Sequence, residues 1–242
     1  MEKKQWFETW FDSPYYHVLY NHRNHGEAEV FIKALIEELN PNTNATFLDL
    51  ACGAGRHSKF INSLGFRVTG ADLSPNSIKA AQESTTESLD FIVHDMRTPV
   101  RGKVYDYIFN LFTSFGYFDN HTDNLRVLKS MKSELTSNGT IVIDFMNTNQ
   151  VVENIVTHEV ITKKDIPFTI QKEVVNGIIS KKISFQDKGL NYNFEEKVQA
   201  LYLKDFEELC NQAGFSIVKA FGNYSLDEFN KDSSDRLIMV IK

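Results

Sequence analysis

The stretch Thr46-Phe-Leu-Asp-Leu-Ala-Cys-Gly-Ala-Gly-Arg-His-Ser-Lys-Phe60 places an apolar run, an aspartate and two glycines ahead of a helical pattern. Glycines at a sharp turn from strand to helix allow the backbone to come within contact distance of a ligand. Such a turn is typical of sites for nucleotides and nucleotide-like cofactors. Because Ser58 stands where the dinucleotide pattern GxGxxG has its third glycine, the stretch argues against a nicotinamide dehydrogenase but leaves the cofactor open.

The rest of the chain alternates short apolar runs with helical patterns, which predicts an α/β fold with a parallel sheet covered on both faces. The predicted helices cover residues 25–39, start at about Arg56, start at Ser74-Pro75, run from about Asn120 to Leu135, and end near Gly214. The predicted strands are TFLDLA, FRVTGAD, LDFIVHD, YDYIFNLF, GTIVIDFM, FSIVKAF and DRLIMVIK.

Residues 156–201 have a different pattern, in which polar and apolar residues alternate between turn residues. Asn176-Gly177 lies between two of these runs and is a strong hairpin signal. We therefore expect an antiparallel β subdomain inserted between residues 25–155 and 202–242.

Polar side chains follow four of the predicted parallel strands. Asp49, Asp72, Asp95 and Asn110 all fall at the carboxyl ends of these strands, where open α/β sheets bind their ligands. A carboxylate at Asp72 can accept both hydroxyls of a ribose, while Asp95 and Met96 suit the amine and the ring face of an adenine.

These motifs resemble those of class I S-adenosylmethionine-dependent methyltransferases of the small-molecule type. The residues are DLACGAGRHS, GADLS, HDM and NLFTSFGYF, followed by the two closing strand candidates. The resemblance implies a Rossmann-like, seven-stranded mixed sheet in the order 3-2-1-4-5-7-6, with the last strand antiparallel. Ala51 replaces a glycine of the family's commoner pattern, which alanine tolerates if its φ is negative.

The resemblance also implies the cofactor, S-adenosylmethionine, its product S-adenosylhomocysteine, and a set of binding residues. Gly53 and Gly55 would approach the methionine part, and Arg56 and His57 would receive its carboxylate at the start of a helix. The expected cofactor-binding residues are Tyr20, Arg23, Asp49, Ala51, Gly53, Gly55, Arg56, His57, Asp72, Leu73, Asp95, Met96 and Asn110.

Residues 1–24 are rich in aromatic residues and, by the same resemblance, form a lid that supplies tyrosines to the active site. Packing of the segment on the sheet is the alternative for its tryptophans and phenylalanines. Tyr117 and His121 are the candidates for a catalytic proton acceptor or substrate polariser. The candidate substrate contacts are Tyr15, Tyr16, Asn147 and Tyr192.

The composition limits which classes of binding partner and which cellular compartment we expect. A net charge of -6 and a pI near 5.7 argue against a nucleic-acid substrate. The N-terminal residues contain no signal peptide or membrane-spanning pattern, which favours a cytoplasmic protein without a membrane partner. Cys52 and Cys210 are far apart, and the histidines lack metal-ligand spacing, so we expect no metal.

The predicted reaction is methyl transfer by in-line displacement to a small-molecule nitrogen or oxygen. Asn110-Leu-Phe-Thr differs from the N/D-P-P-Y/F motif of enzymes that methylate planar nitrogens, which disfavours that substrate class. Two alternatives remain: a protein methyltransferase, and a cofactor-binding protein of the same fold without turnover. The sequence leaves both a monomer and a homodimer open.

Overall fold

A computed structural model describes residues 5–20 and 25–242 of the chain. A seven-stranded sheet forms its centre, with strands in the order β10-β11-β5-β4-β1-β2-β3. Its members are β1 (Thr46–Leu50), β2 (Arg67–Asp72), β3 (Leu89–Val93), β4 (Tyr105–Asn110), β5 (Leu135–Met146), β10 (Ile217–Phe221) and β11 (Arg236–Ile241).

The pairing of these strands confirms the predicted fold class. Strands β1 to β5 pair in parallel with one another, whereas β11 is antiparallel to both β5 and β10. Counted along this sheet alone, the order is the predicted 3-2-1-4-5-7-6. The carboxyl ends of β1, β2, β3 and β4 therefore meet at one edge.

Helices cover both faces of the sheet and bury separate apolar clusters there. One cluster contains Phe31, Ile61 and Ile78 from the α3, α4 and α5 side. The other contains Val127 and Phe206 from the α6 and α8 side. These helices are α3 (His25–Leu39), α4 (Arg56–Ser63), α5 (Pro75–Gln82), α6 (His121–Ser133) and α8 (Leu203–Ala213).

The helix ends follow the chemistry that the sequence predicted. The Ser74 side chain accepts a hydrogen bond from the Ser77 N–H with Pro75 in the first turn, so α5 begins where expected. Gly214 ends α8 with a φ of 77°, a conformation that glycine adopts without strain.

The inserted residues form a separate four-stranded antiparallel sheet in the order β6-β7-β8-β9. Its β7–β8 hairpin turns at Asn176 and Gly177, whose φ values are 51° and 75°. The strands are β6 (His158–Lys163), β7 (Ile166–Val175), β8 (Ile178–Asp187) and β9 (Leu190–Gln199).

Three short helices were not predicted: α1 (Trp6–Trp10), α2 (Pro14–Leu19) and α7 (Thr148–Glu153). Each is a single turn or little more, so it shows too few repeats for a helical period to be recognised. Trp10 and Leu19 of the first two helices are buried with Phe168 and Ile170 of the inserted sheet. Among the described residues, no helix is long and apolar enough to span a membrane.

Candidate functional site

A cavity of about 480 Å³ lies at the carboxyl ends of the parallel strands. Its wall combines the turns that follow β1 to β4 with side chains of α1 and α2. A cavity of this size is typical of sites for small molecules and cofactors. The lining residues that carry the chemistry are Glu8, Tyr16, His17, Tyr20, Ala51, Gly53, Arg56, His57, Lys59, Asp72, Asp95, Met96, Phe112 and Tyr117.

The turn after β1 corrects one expectation. Ala51 has a φ of 66°, although the sequence argument required a negative value. The hydrogen bonds from the N–H groups of Ala51 and Cys52 to the Ala71 carbonyl, at 2.7 and 3.0 Å, hold the chain in this turn. The local backbone geometry therefore overrides the preference of a residue with a Cβ atom, at a cost of roughly 1–2 kcal/mol.

The two glycines of the turn have different surroundings. Gly53 lines the cavity, and a Cβ atom built on it meets nothing within 4 Å. Gly55 is not among the lining residues, and a Cβ atom there would lie 2.5 Å from the ring of Phe91. The structure thus assigns Gly55 to packing beneath the turn, while the Gly53 backbone faces open space.

Ser58, which stands at the third glycine position of the GxGxxG pattern, supports the turn through a hydrogen bond. Its hydroxyl donates to the buried Asp49 carboxylate at 2.5 Å. Burial raises the pKa of Asp49 to about 6, while the hydrogen bonds from Ser58 oppose the rise. Asp49 does not line the cavity, so it would affect a ligand only by setting the position of the turn.

Asp72 presents a carboxylate to the cavity at the end of β2. One oxygen accepts the Gly53 N–H and the other accepts the Ser74 N–H, each at 2.8 Å. Because a carboxylate has about four acceptor positions, capacity remains for two further donors. Burial raises the pKa of Asp72, and these two backbone hydrogen bonds oppose the rise.

Asp95 is held in place by an arginine. Both of its oxygens accept from the Arg97 guanidinium, at 3.0 Å from Nε and 2.6 Å from Nη2. Although burial by itself would raise the pKa of Asp95, the hydrogen bonds from Arg97 lower it below its ordinary value. Asp95 is therefore an oriented anion beside Met96 in the wall.

The start of α4 brings cationic side chains to the cavity. The Arg56 guanidinium carbon lies 4.5 Å from the ring centre of Phe112, and the His57 ring stacks on that ring at 4.9 Å. Lys59 also lines the cavity. These groups surround the N-terminus of a helix, where an anionic group is stabilised.

The loop after β4 has a strained backbone at its first turn. Phe112 and Thr113 have φ values of 59° and 58°, which are unusual for residues with bulky or branched side chains. The buried Asp144 carboxylate accepts the Phe112 N–H at 2.8 Å and pairs with Arg236 at 2.8 Å. Asp144 thus satisfies the backbone at a strand end and supports the loop.

Tyr117 lies later in the same loop and lines the cavity. Its hydroxyl donates to the Thr113 carbonyl, and its ring packs edge-on against Trp6 at 5.3 Å. These two contacts fix the orientation of the Tyr117 ring in the cavity wall.

The N-terminal segment lines the cavity and is hydrogen-bonded to the start of α5 and to the inserted sheet. Asp12 accepts from the Ser74 hydroxyl at 2.6 Å and from the Asn76 N–H at 3.0 Å, beside Asp72. Glu196 of the inserted sheet accepts from Trp10 Nε1 at 2.6 Å and from the Tyr20 hydroxyl at 2.7 Å. Lys181 also donates to the Tyr20 hydroxyl.

The cavity gathers most of the residues that the sequence singled out. The predicted residues that line it are Tyr16, Tyr20, Ala51, Gly53, Arg56, His57, Asp72, Leu73, Asp95, Met96 and Tyr117. Those that lie outside the lining are Tyr15, Asp49, Gly55, Asn110, His121, Asn147 and Tyr192. Arg23 lies outside the described residues.

Four of the side chains outside the cavity lining form contacts elsewhere or face solvent: His121, Asn147, Tyr15 and Tyr192. His121 is exposed at the first residue of α6. Asn147 donates to the Ser234 and Lys231 carbonyls, at 2.7 and 2.9 Å. Tyr15 donates to Asp187 at 2.7 Å and packs its ring 4.7 Å from Tyr192.

Several lining residues were missed by the sequence argument. Glu8 and His17 lie in the aromatic segment, and the pattern of that segment gives no indication of which side chains face inward. Phe112 belongs to a motif that was recognised, but its orientation depends on the strained turn. Glu8 is a single acidic residue among aromatic residues, and this isolation was the signal that could have identified it.

A second cavity of about 510 Å³ lies between the loop that contains Tyr117 and one face of the inserted sheet. Tyr117 and Phe118 line both cavities and form a common wall. The inserted sheet contributes Glu173, Val175, Ile178, Ser180, Glu195, Lys197 and Gln199. In the part of the chain that the structure describes, no three His, Cys, Asp or Glu side chains are grouped to hold a metal ion.

Comparisons with known proteins agree with this geometry. The profile of a family described as methyltransferase domain matches residues 41–207. A glycine/sarcosine N-methyltransferase from Parasynechococcus marenigrum (strain WH8102) is 26% identical over 226 residues, 88% of this chain and 76% of that protein.

Two solved structures share the fold. An S-adenosylmethionine-dependent methyltransferase from Clostridium acetobutylicum ATCC 824 superposes with a TM-score of 0.80 at 18% identity, over 94% of this chain and 95% of that one. A sugar N-methyltransferase from Streptoalloteichus sp ATCC 53650 gives a TM-score of 0.71 at 18% identity, over 93% and 92%.

Proposed function

The chain belongs to the methyltransferase domain family, and from that premise we propose that it transfers a methyl group from S-adenosylmethionine to a nitrogen or oxygen of a small molecule. The observation that carries the proposal is the cavity in which Asp72 and Asp95 lie beside the glycine turn. The cavity volume of about 480 Å³ is in the range of sites for small molecules, which favours a small acceptor over a protein segment.

The residues present fit this cofactor. Asp72 keeps acceptor positions for ribose hydroxyls because its two backbone hydrogen bonds use only part of its capacity. The open space at Gly53 admits a ligand against the backbone. Asp95 and Met96 offer a carboxylate and a thioether for an adenine, and Arg56 and Lys59 lie at a helix N-terminus suited to a carboxylate.

A bound S-adenosylmethionine would supply a sulfonium methyl group for an aligned nucleophile, with the thioether as the leaving group, so the protein's main contribution is alignment. Tyr117 contacts the acceptor in this proposal, since it lies in the common wall of the two cavities. The aromatic side chains from α1 and α2 exclude water from the reacting groups.

Residues 1–24 act as the lid in this proposal, and residues 156–201 form the cover on the acceptor side. Two contacts support this arrangement: Asp12 joins the lid to the ribose end of the site, and Glu196 joins it to the inserted sheet. Opening of the lid would therefore break contacts with both the start of α5 and the inserted sheet.

The binding proposal is tested by calorimetry of the purified chain with S-adenosylmethionine and S-adenosylhomocysteine. Asp72→Ala removes the ribose acceptor and should weaken binding by about 1–3 kcal/mol, or roughly 5- to 150-fold. Asp90→Ala is the matched control, because this carboxylate of β3 is 53% exposed and does not line the cavity.

Thermal unfolding of both variants shows whether the fold is intact. Unchanged affinity in a folded Asp72→Ala protein would contradict the assignment of Asp72. Absence of binding of either compound by the intact chain would contradict the proposed function itself.

A further inference from the structure

Glu8 differs from the other carboxylates of the cofactor cavity. Asp72 accepts hydrogen bonds from two backbone N–H groups, and Asp95 forms an ion pair with Arg97. Glu8 is half-buried and lines the same cavity, yet within the described residues its side chain has no hydrogen bond or ion pair. No described side chain therefore competes with a ligand for this carboxylate.

The cavity that Glu8 lines also contains aromatic side chains, which are suited to a cation. Phe7 and Phe11 of the N-terminal segment line the same cavity as Glu8, together with Tyr117 and Phe118 from the loop after β4. The face of an aromatic ring attracts an ammonium group. A half-buried carboxylate among such rings supplies both the opposite charge and the apolar contact that a substituted ammonium requires.

The charges of the cavity place Glu8 on the acceptor side. The cations Arg56 and Lys59 belong to α4, next to the glycine turn that suits the methionine part of the cofactor. Glu8 belongs to α1, whose Trp6 packs on Tyr117 and whose Phe7 packs on Phe118, 5.8 Å between ring centres. These two loop residues form the wall shared with the second cavity.

We infer that the methyl acceptor is an amine and that Glu8 binds it as an ammonium ion among the rings of the lid. This inference rests on the proposed function and names its substrate class. An ammonium nitrogen must lose one proton before it can attack, and the Glu8 carboxylate receives that proton and passes it to solvent. The nitrogen lone pair then forms the N–C bond as the S–C bond breaks, and the electron pair of the broken bond remains on sulfur.

The test uses the full chain and four pairs of compounds. Each amine is paired with a hydroxyl compound of the same skeleton: benzylamine with benzyl alcohol, cyclohexylamine with cyclohexanol, ethanolamine with ethylene glycol, and glycine with glycolate. Turnover is measured as release of S-adenosylhomocysteine, and binding is measured by calorimetry on protein saturated with that product.

We expect at least one amine to react or bind at least tenfold better than its hydroxyl partner. For that amine, Glu8→Gln should lower kcat/KM, or the affinity of the product complex, by tenfold or more. The affinity for S-adenosylmethionine should stay the same. Glu87→Gln is the matched control, since it removes the same charge at an exposed position outside the cavity.

Four results would overturn the inference. The first is a hydroxyl compound that is used as well as its amine, and the second is a Glu8→Gln variant that keeps full activity or affinity for the amine. The third is that no amine either reacts or binds. The fourth is a tenfold loss of S-adenosylmethionine affinity in Glu8→Gln. The last would show that Glu8 holds the cofactor instead. Each of these is distinct from a failure of the wild-type chain to bind S-adenosylmethionine, which would contradict the proposed function.

Discussion

At the scale of single residues, the glycine turn shows which features of the site the sequence predicts and which it does not. The residue types after β1 predicted a turn that faces a ligand, and Gly53 lies where that prediction needs it. The positive φ of Ala51 could not be predicted, because it follows from hydrogen bonds to Ala71 on the neighbouring strand. Likewise, the contact between Ser58 and Asp49 depends on the packing of α4 against β1.

The strain at Ala51 leads to a stability prediction. Ala51→Gly removes a left-handed penalty of roughly 1–2 kcal/mol, and glycine's extra freedom in the unfolded chain offsets part of the gain. We expect the free energy of unfolding to rise by about 0.5–1 kcal/mol, measured by chemical denaturation.

Ala81→Gly provides the comparison, because Ala81 is buried inside α5 with no such strain. It should lose about 1 kcal/mol or more, since glycine is a poor helix former and a buried methyl group is removed. A loss of similar size in Ala51→Gly would show that Ala51 is not strained.

At the scale of elements, the N-terminal helices and the inserted sheet form one packed unit. Trp10 and Leu19 are buried against Phe168 and Ile170, and burial of each such side chain contributes roughly 1.5–3 kcal/mol. The alternating pattern predicted the strands of the inserted sheet and the hairpin at Asn176-Gly177. It could not predict that residues far apart in sequence cover one face of that sheet, because such pairing has no local signal.

The polar contacts of this unit centre on Glu196, which leads to a prediction about the lid. Glu196→Gln weakens the charge-assisted hydrogen bonds from Trp10 and Tyr20 and the interaction with Lys181. Cleavage of the N-terminal segment by a dilute protease should become about three- to tenfold faster, with little change in the melting temperature of the rest of the chain.

Glu195→Gln is the control for this experiment. Glu195 precedes Glu196 on β9, and its side chain lines the second cavity, where Ser180 and Lys197 contact it. We expect the N-terminal segment of this variant to resist cleavage as the wild type does. Equal cleavage rates in the Glu196→Gln variant and the wild type would argue against Glu196 as the main polar anchor of the lid.

At the scale of the whole molecule, the site exists because a parallel sheet brings four strand ends to one edge. The family resemblance implied the strand order, and this rule placed Asp72 and Asp95 at the same edge of the sheet. It placed His121 and Asn147 near the acceptor, whereas the structure has one exposed on α6 and the other at the start of α7. Loop residues a few positions beyond a strand can face any direction, which explains the difference.

Methyl transfer itself is tested most directly by incubating the purified chain with S-adenosylmethionine labelled on its methyl group and a metabolite extract. Mass spectrometry should detect at least one small molecule that gains a labelled methyl group, together with an equal amount of S-adenosylhomocysteine. Asp72→Ala should reduce this labelling tenfold or more at a limiting cofactor concentration, and Asp90→Ala should not. Binding of S-adenosylmethionine without any labelled small molecule, or labelling confined to protein, would contradict the function proposed for this chain.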